Sequence, residues 1–190
     1  MSFLKPLTLT LVISILILFL INLFQNIKSQ SSKLVIDSIP KTEVFIDGNR
    51  IGETPVSEIS KKEEVQVKLK KDDLSYEKYI TLTKGVETIL KISLNQDIHK
   101  TEEQILTLEA TGEKKSSISL TTEPDGVQIY LDGKFVGVSP QKIVNIEPSI
   151  HEITMLKDGF NQKEVTIKTT EGYTLDSFAK LASSDSSVQN

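Results

Sequence analysis

The sequence predicts an all-β protein, two tandem small antiparallel β-sandwich modules after one N-terminal transmembrane helix. Three observations carry this expectation. First, a 13-position motif occurs twice: EVFIDGNRIGETP at residues 43–55 returns as QIYLDGKFVGVSP at residues 128–140. Asp47, Gly48, Gly52 and Pro55 recur 85 residues later as Asp132, Gly133, Gly137 and Pro140, and repetition at a fixed spacing marks a repeated structural unit. Second, apolar and polar residues alternate around both copies, the period of a half-buried strand. Third, residues 6–27 form a run of 22 positions without a charge.

Taken in order, residues 1–5 read as a short cytoplasmic tail and residues 6–27 as an uncleaved signal-anchor helix, with a cleaved signal peptide as the alternative. A helix of that length extends about 33 Å, enough to cross a bilayer core. A secretory signal has a shorter apolar region and a small-x-small cleavage site. The only passable cut here, after Ser29, is preceded by Ile27 and Lys28, and a lipobox is excluded because there is no cysteine. Lys5 before the helix and Lys28 and Lys33 after it nearly balance the positive-inside rule. The reading adopted is a single-pass protein of the cell membrane with everything after Gln30 extracytoplasmic.

Residues 28–33 are a polar linker. Module one occupies residues 34–94, with Val44 and Ile46, then Val65, Val67 and Leu69, then Leu90, Ile92 and Leu94 in alternating rows. Residues 95–116 break the alternation and form a charge-rich connector. Ile98, Ile105, Leu106 and Leu108 leave open a short helix or an added strand near residues 104–109. Module two occupies residues 117–181, and residues 182–190 form a polar tail read as disordered. Modules of some 60 residues bury little surface, so docking between them is the alternative to independent folding.

The repeated motif has a direct physical reading. Asp-Gly between apolar runs signals a two-residue hairpin with positive φ at both turn positions. It folds Val44 and Ile46 back onto Arg50 and Ile51, and Ile129 and Leu131 back onto Lys134 and Val136. Gly52 and Gly137 then fall where a strand bends or a backbone approaches closely. Thr54-Pro55 and Ser139-Pro140 set extended corners, because the residue before proline is pushed out of the helical region. Pro40 and Pro124 precede the first hairpin strand, where a missing N–H is tolerated.

With these residues in place, module two (SLTTEPDGVQIYLDGKFVGVSP, then KDGF) resembles the PEGA domain family. The family pattern falls on Pro124, Gly126, Asp132, Gly133, Gly137, Ser139, Pro140, Gly159 and Phe160. Module one keeps Pro40, Asp47, Gly48, Gly52, Thr54 and Pro55, but lacks the glycine after Pro40 and has Asp73-Leu74 in place of Gly-aromatic. The resemblance implies small antiparallel β-sandwiches of prokaryotic surface or envelope proteins, often beside membrane anchors. It implies turn formers at the signature positions, with no catalytic residue and no named ligand.

Composition narrows the chemistry further. Outside residues 1–28 the chain has 20 basic and 26 acidic side chains, so nothing marks a nucleic-acid surface, and no phosphate-loop motif marks a nucleotide site. Without cysteine, and with only His99 and His151, a zinc site lacks its usual ligands; both histidines read as solvated. The aspartates of the Asp-Gly pairs are explained by the turn without calcium. Adjacent acids such as Glu102-Glu103 point to opposite faces of a strand, which separates them as an acid–base pair. No cofactor, metal or catalytic residue is expected. Phe45 and Tyr130, at matching outward positions, read either as cross-strand packing or as a ligand surface. The functional expectation is a non-enzymatic membrane-anchored spacer or interaction protein touching cell-wall polymer or an envelope protein. The alternative is a carbohydrate-binding surface module.

Overall fold

The computed structural model describes residues 31–184; the expected tail 1–5, the helix 6–27, residues 28–30 of the expected linker and residues 185–190 of the expected disordered tail lie outside them. Fifteen strands follow one another: β1 (Ser32–Ile39), β2 (Glu43–Ile46), β3 (Asn49–Glu53), β4 (Val56–Ser60), β5 (Glu64–Lys71), β6 (Leu74–Thr81), β7 (Glu87–Ser93), β8 (Glu102–Ala110), β9 (Ser116–Glu123), β10 (Gln128–Leu131), β11 (Lys134–Val138), β12 (Gln141–Ile146), β13 (Ile150–Leu156), β14 (Lys163–Lys168) and β15 (Tyr173–Lys180). One 3-10 turn, Ile98–Lys100, precedes β8. Among the described residues no helix is long and apolar enough to cross a membrane.

The strands build three sheets. Each module contributes a four-stranded antiparallel sheet, β3-β2-β5-β6 in the first and β11-β10-β13-β14 in the second. The remaining strands join in one seven-stranded sheet of order β12-β9-β15-β8-β7-β1-β4. This sheet corrects the expectation of purely antiparallel modules, because β1 pairs β7 in parallel and β15 pairs β9 in parallel. The reason is topological. Each module opens and closes on the larger sheet, and its four-stranded sheet supplies the long crossover that a parallel pair requires.

The connector resolves into β8, the central strand of the shared sheet, antiparallel to β7 on one side and to β15 on the other. The strand order therefore reads the same from both ends, since β4, β1 and β7 are the repeat counterparts of β12, β9 and β15. Strand directions are preserved while the order is reversed, so the modules are related by a half-turn about the β8 axis. That operation exchanges the two faces of the sheet. Side chains alternate between faces along a strand, and β8 divides them accordingly: Ile105 packs on the module-one core, while Leu106 and Leu108 pack on the module-two core. Val44, Val67, Leu69, Leu34, Ile36 and Leu90 centre the first core, and Ile118, Leu120, Ile129, Ile153 and Met155 the second.

Two ion pairs repeat the same half-turn. Lys78 on β6 reaches Glu103 at 2.6 Å, and Lys163 on β14 reaches Glu102 at 2.5 Å. The lysines are 85 residues apart, and their partners are the adjacent acids of β8. Each four-stranded sheet is thus fastened at its rim to its own face of the connector strand.

Candidate functional site

The repeated motif folds as two matched assemblies, one at each end of a module. At the first end are the hairpin turns. Ile46 pairs with Asn49 and Leu131 with Lys134, leaving Asp47-Gly48 and Asp132-Gly133 as two-residue loops. Their φ values are 50° and 81° in module one and 50° and 76° in module two, as a type I′ turn requires. The bend expected at the next glycine is a β-bulge: register shifts between Val44 and Phe45, and between Ile129 and Tyr130, set Gly52 against Val44 and Gly137 against Ile129.

The turn aspartates also clamp the hairpin onto its neighbour strand. Asp47 Oδ1 accepts the Gln66 N–H at 2.9 Å, and Asp132 Oδ1 accepts the Glu152 N–H at 3.0 Å. The second oxygen meets a side-chain nitrogen, Lys62 Nζ at 2.6 Å in module one and His151 Nδ1 at 2.7 Å in module two. The Lys62 contact first, then the Gln66 N–H, holds the Asp47 carboxyl below the usual carboxylate range. For Asp132 the Glu152 N–H acts most strongly and His151 next, in the same direction. His151 is therefore not the solvated histidine that the sequence suggests, since its side chain is only 10% exposed. His99 lies in the 3-10 turn, where its N–H caps onto Asp97.

At the opposite end are the proline corners, where a buried hydroxyl cluster ties the two sheets of each sandwich together. Ser38 Oγ contacts Thr54 Oγ1 at 2.8 Å and Thr42 Oγ1 at 2.9 Å, and donates to the Pro40 carbonyl at 2.8 Å. Thr54 Oγ1 also accepts the Thr42 N–H. In module two Thr122 and Ser139 are in hydroxyl contact, Thr122 donates to the Pro124 carbonyl at 2.6 Å, and Ser139 Oγ accepts the Val127 N–H at 3.0 Å. Thr54 and Ser139 are almost fully buried, so the hydroxyl before Pro55 and Pro140 serves this cluster as well as the corner. Ser38 and Thr122 escaped the sequence reading because each lies well upstream of its partner. Gly126, at φ 71°, carries the longer module-two loop past Pro124.

Gly159 adopts φ 80° and places Phe160 against the module-two core, where it also bridges to Ser183. Leu74 packs on the module-one core in its stead, so the missing Gly-aromatic pair leaves no gap there. Phe45 and Tyr130 do not converge on one site. Tyr130 packs edge-to-face on Phe135, with ring centroids 5.5 Å apart, and its hydroxyl donates to Gln128. Phe45 lies under the Lys70 ammonium at 5.7 Å. Cross-strand packing accounts for both, while Phe135 remains 58% exposed. Among the described residues no group of three or more histidine or acidic side chains is arranged to hold a metal ion.

Tandem small sandwiches fixed by turn aspartates, bulge glycines and hydroxyl-proline corners define a class of β module whose signature residues are structural. The chain belongs to the PEGA domain family, whose model matches residues 31–98 and again residues 115–185. No curated protein and no solved structure matches it.

Proposed function

We propose that the protein is a non-enzymatic, membrane-anchored envelope protein, with its PEGA modules held outside the membrane as a spacer or interaction platform for an envelope protein or cell-wall polymer. The observation that carries this reading is the continuous seven-stranded sheet. It makes the pair one rigid body, about 29 Å across from the interstrand spacing. The uncharged run at residues 6–27 supports the anchor, and family membership supports an extracellular-type β protein. Because β1 and β9 run in the same direction, both modules begin at the same end of the sheet and stand abreast above the tether. The pair then offers breadth at one height.

Protease treatment of intact cells, with a blot against a C-terminal tag, tests the placement. Digestion of residues 31–184 without breaching the inner membrane is the expected result, and protection until lysis overturns it. The exposed Phe135 beside Tyr130 favours a second reading, glycan stacking on module two. Saturable polysaccharide binding that is lost in both Tyr130→Ala and Phe135→Ala would establish that reading over the spacer.

A further inference from the structure

The two modules hold the same turn aspartate with different cations, and the difference has a chemical consequence. In module one the β5 position that follows the turn is filled inward by Val65, and the cation is Lys62 from the preceding loop, 65% exposed. In module two the corresponding inward position on β13 is His151. Its ring is nearly enclosed and lies between two acceptors: Nδ1 is 2.7 Å from Asp132 Oδ2, and Nε2 is 2.9 Å from the Glu147 carbonyl. A neutral imidazole has one N–H and one lone pair, whereas an imidazolium donates from both nitrogens. Only the protonated ring satisfies both contacts; the neutral ring sets a lone pair against an oxygen.

We propose that His151 is a pH-operated catch, which joins the β10–β11 turn, the β12–β13 loop and β13 at the tether-side end of module two in mildly acid medium and releases them as the medium becomes alkaline. The charged groups around the ring agree with this. Asp132 faces it from the β10–β11 turn, where Lys134 begins the next strand. From the β12–β13 loop comes the Glu147 carbonyl, while the Glu147 carboxylate turns away to Lys115 ahead of β9 at 3.3 Å. On β14 the residue opposite His151 is the buried Ile167. The Glu147 carbonyl first, then Asp132, raises the His151 pKa above its usual value.

A raised histidine pKa stabilises the folded state fully below the unfolded value, about 6.5. That contribution disappears as pH climbs through the folded value. Asp132, lowered, gives the opposite limb and loses its contribution only in stronger acid. The catch is therefore tightest from about pH 4 to pH 6.5. Module one has Val65 at the matching position and no histidine between residues 34 and 94.

The test is amide hydrogen exchange on the full-length protein in detergent micelles at about pH 5.5 and 8.5, with intrinsic exchange rates divided out, alongside NMR titration of the His151 ring. Protection of residues 132–134 and 146–152 is expected to be lower at the higher pH, while residues 47–49 and 61–66 hold theirs. In His151→Gln the module-two segments should sit at the alkaline level at both pH values. Asp132→Asn keeps the Glu152 N–H contact and serves should His151→Gln fail to fold; it should lower the ring's titration midpoint. The proposal is overturned by equal responses in the two modules, by a pH response that survives His151→Gln, or by a ring midpoint unmoved in Asp132→Asn.

Discussion

Module one and module two share a plan and differ at three of the places where that plan is enforced. The corner cluster has three hydroxyls in the first module (Ser38, Thr42, Thr54) and two in the second (Thr122, Ser139), where Val127 supplies only its backbone N–H. The side chain on the turn aspartate is a lysine in one and a histidine in the other. The fourth strand, β4, pairs regularly with β1, whereas β12 is interrupted between Ile143 and Ile146, with Asn145 at φ 60°. What recurs is the hydrogen-bonding task; the residue that performs it is replaceable. Identity is kept at Asp-Gly, at the bulge glycine (Gly52, Gly137), at the corner proline (Pro55, Pro140) and at the staple lysine (Lys78, Lys163).

The largest expected effect breaks the modules together. Ile118→Ala should cost about 3 kcal/mol by leaving a cavity in the second core. Because β8 belongs to both cores, tyrosine fluorescence from module one, which holds Tyr76 and Tyr79, should shift its urea midpoint as well. Separate transitions, with module one unmoved, would show the modules to be energetically independent.

Next comes the pair of staples. The Glu103 side chain is 4% exposed and that of Glu102 29%, so Lys78→Met should cost about 3 kcal/mol and Lys163→Met about 1 kcal/mol, since an orphaned carboxylate costs more the less water it sees. Equal losses in denaturant titration would mean that the two faces of β8 are equivalent. At the corners, Thr54→Val strands the Thr42 N–H and removes one of the Ser38 hydroxyl's three contacts, and Ser139→Ala strands the Val127 N–H and leaves Thr122 only the Pro124 carbonyl. Each should lose about 1–2 kcal/mol, measured by thermal melting, with the more elaborate module-one cluster losing more. The smallest effect separates two glycines that the sequence makes look alike. Gly137 has φ 143°, and a Cβ there would meet the Gln141 side chain, whereas at Gly52 the nearest atom is Val56 Cγ1 at 3.5 Å and φ is not positive. Gly137→Ala should cost about 1 kcal/mol and Gly52→Ala much less. The reverse order in melting temperature would contradict the geometry.

The motif was legible because its work is local. Asp-Gly fixes a turn within two residues, and proline fixes its predecessor, so both hairpins and both corners fall where spacing puts them. The connector reads as either a short helix or an added strand, and the choice is hidden for a physical reason. A strand between two cores on opposite faces carries Ile105 to one side and Leu106 and Leu108 to the other, and loses the alternation by which a half-buried strand is recognised. The parallel pairings were hidden too, because they join strands more than 50 residues apart. Within the candidate site, Asp47 and Asp132 were read as turn formers, while their grip on Gln66 and Glu152 depends on a strand pairing that local sequence does not announce.

The palindromic strand order also fixes how many modules this plan can combine. Each module presents two flanks on the large sheet, a β4-type flank that faces outward and a β7-type flank that receives β8. Both β7-type flanks are already consumed by the one connector. A third copy built the same way would bring a β7-type flank with nothing left to meet it. The module thus has a valence of one, and two modules with a shared strand form a closed set, whereas solenoid repeats can be extended by adding copies.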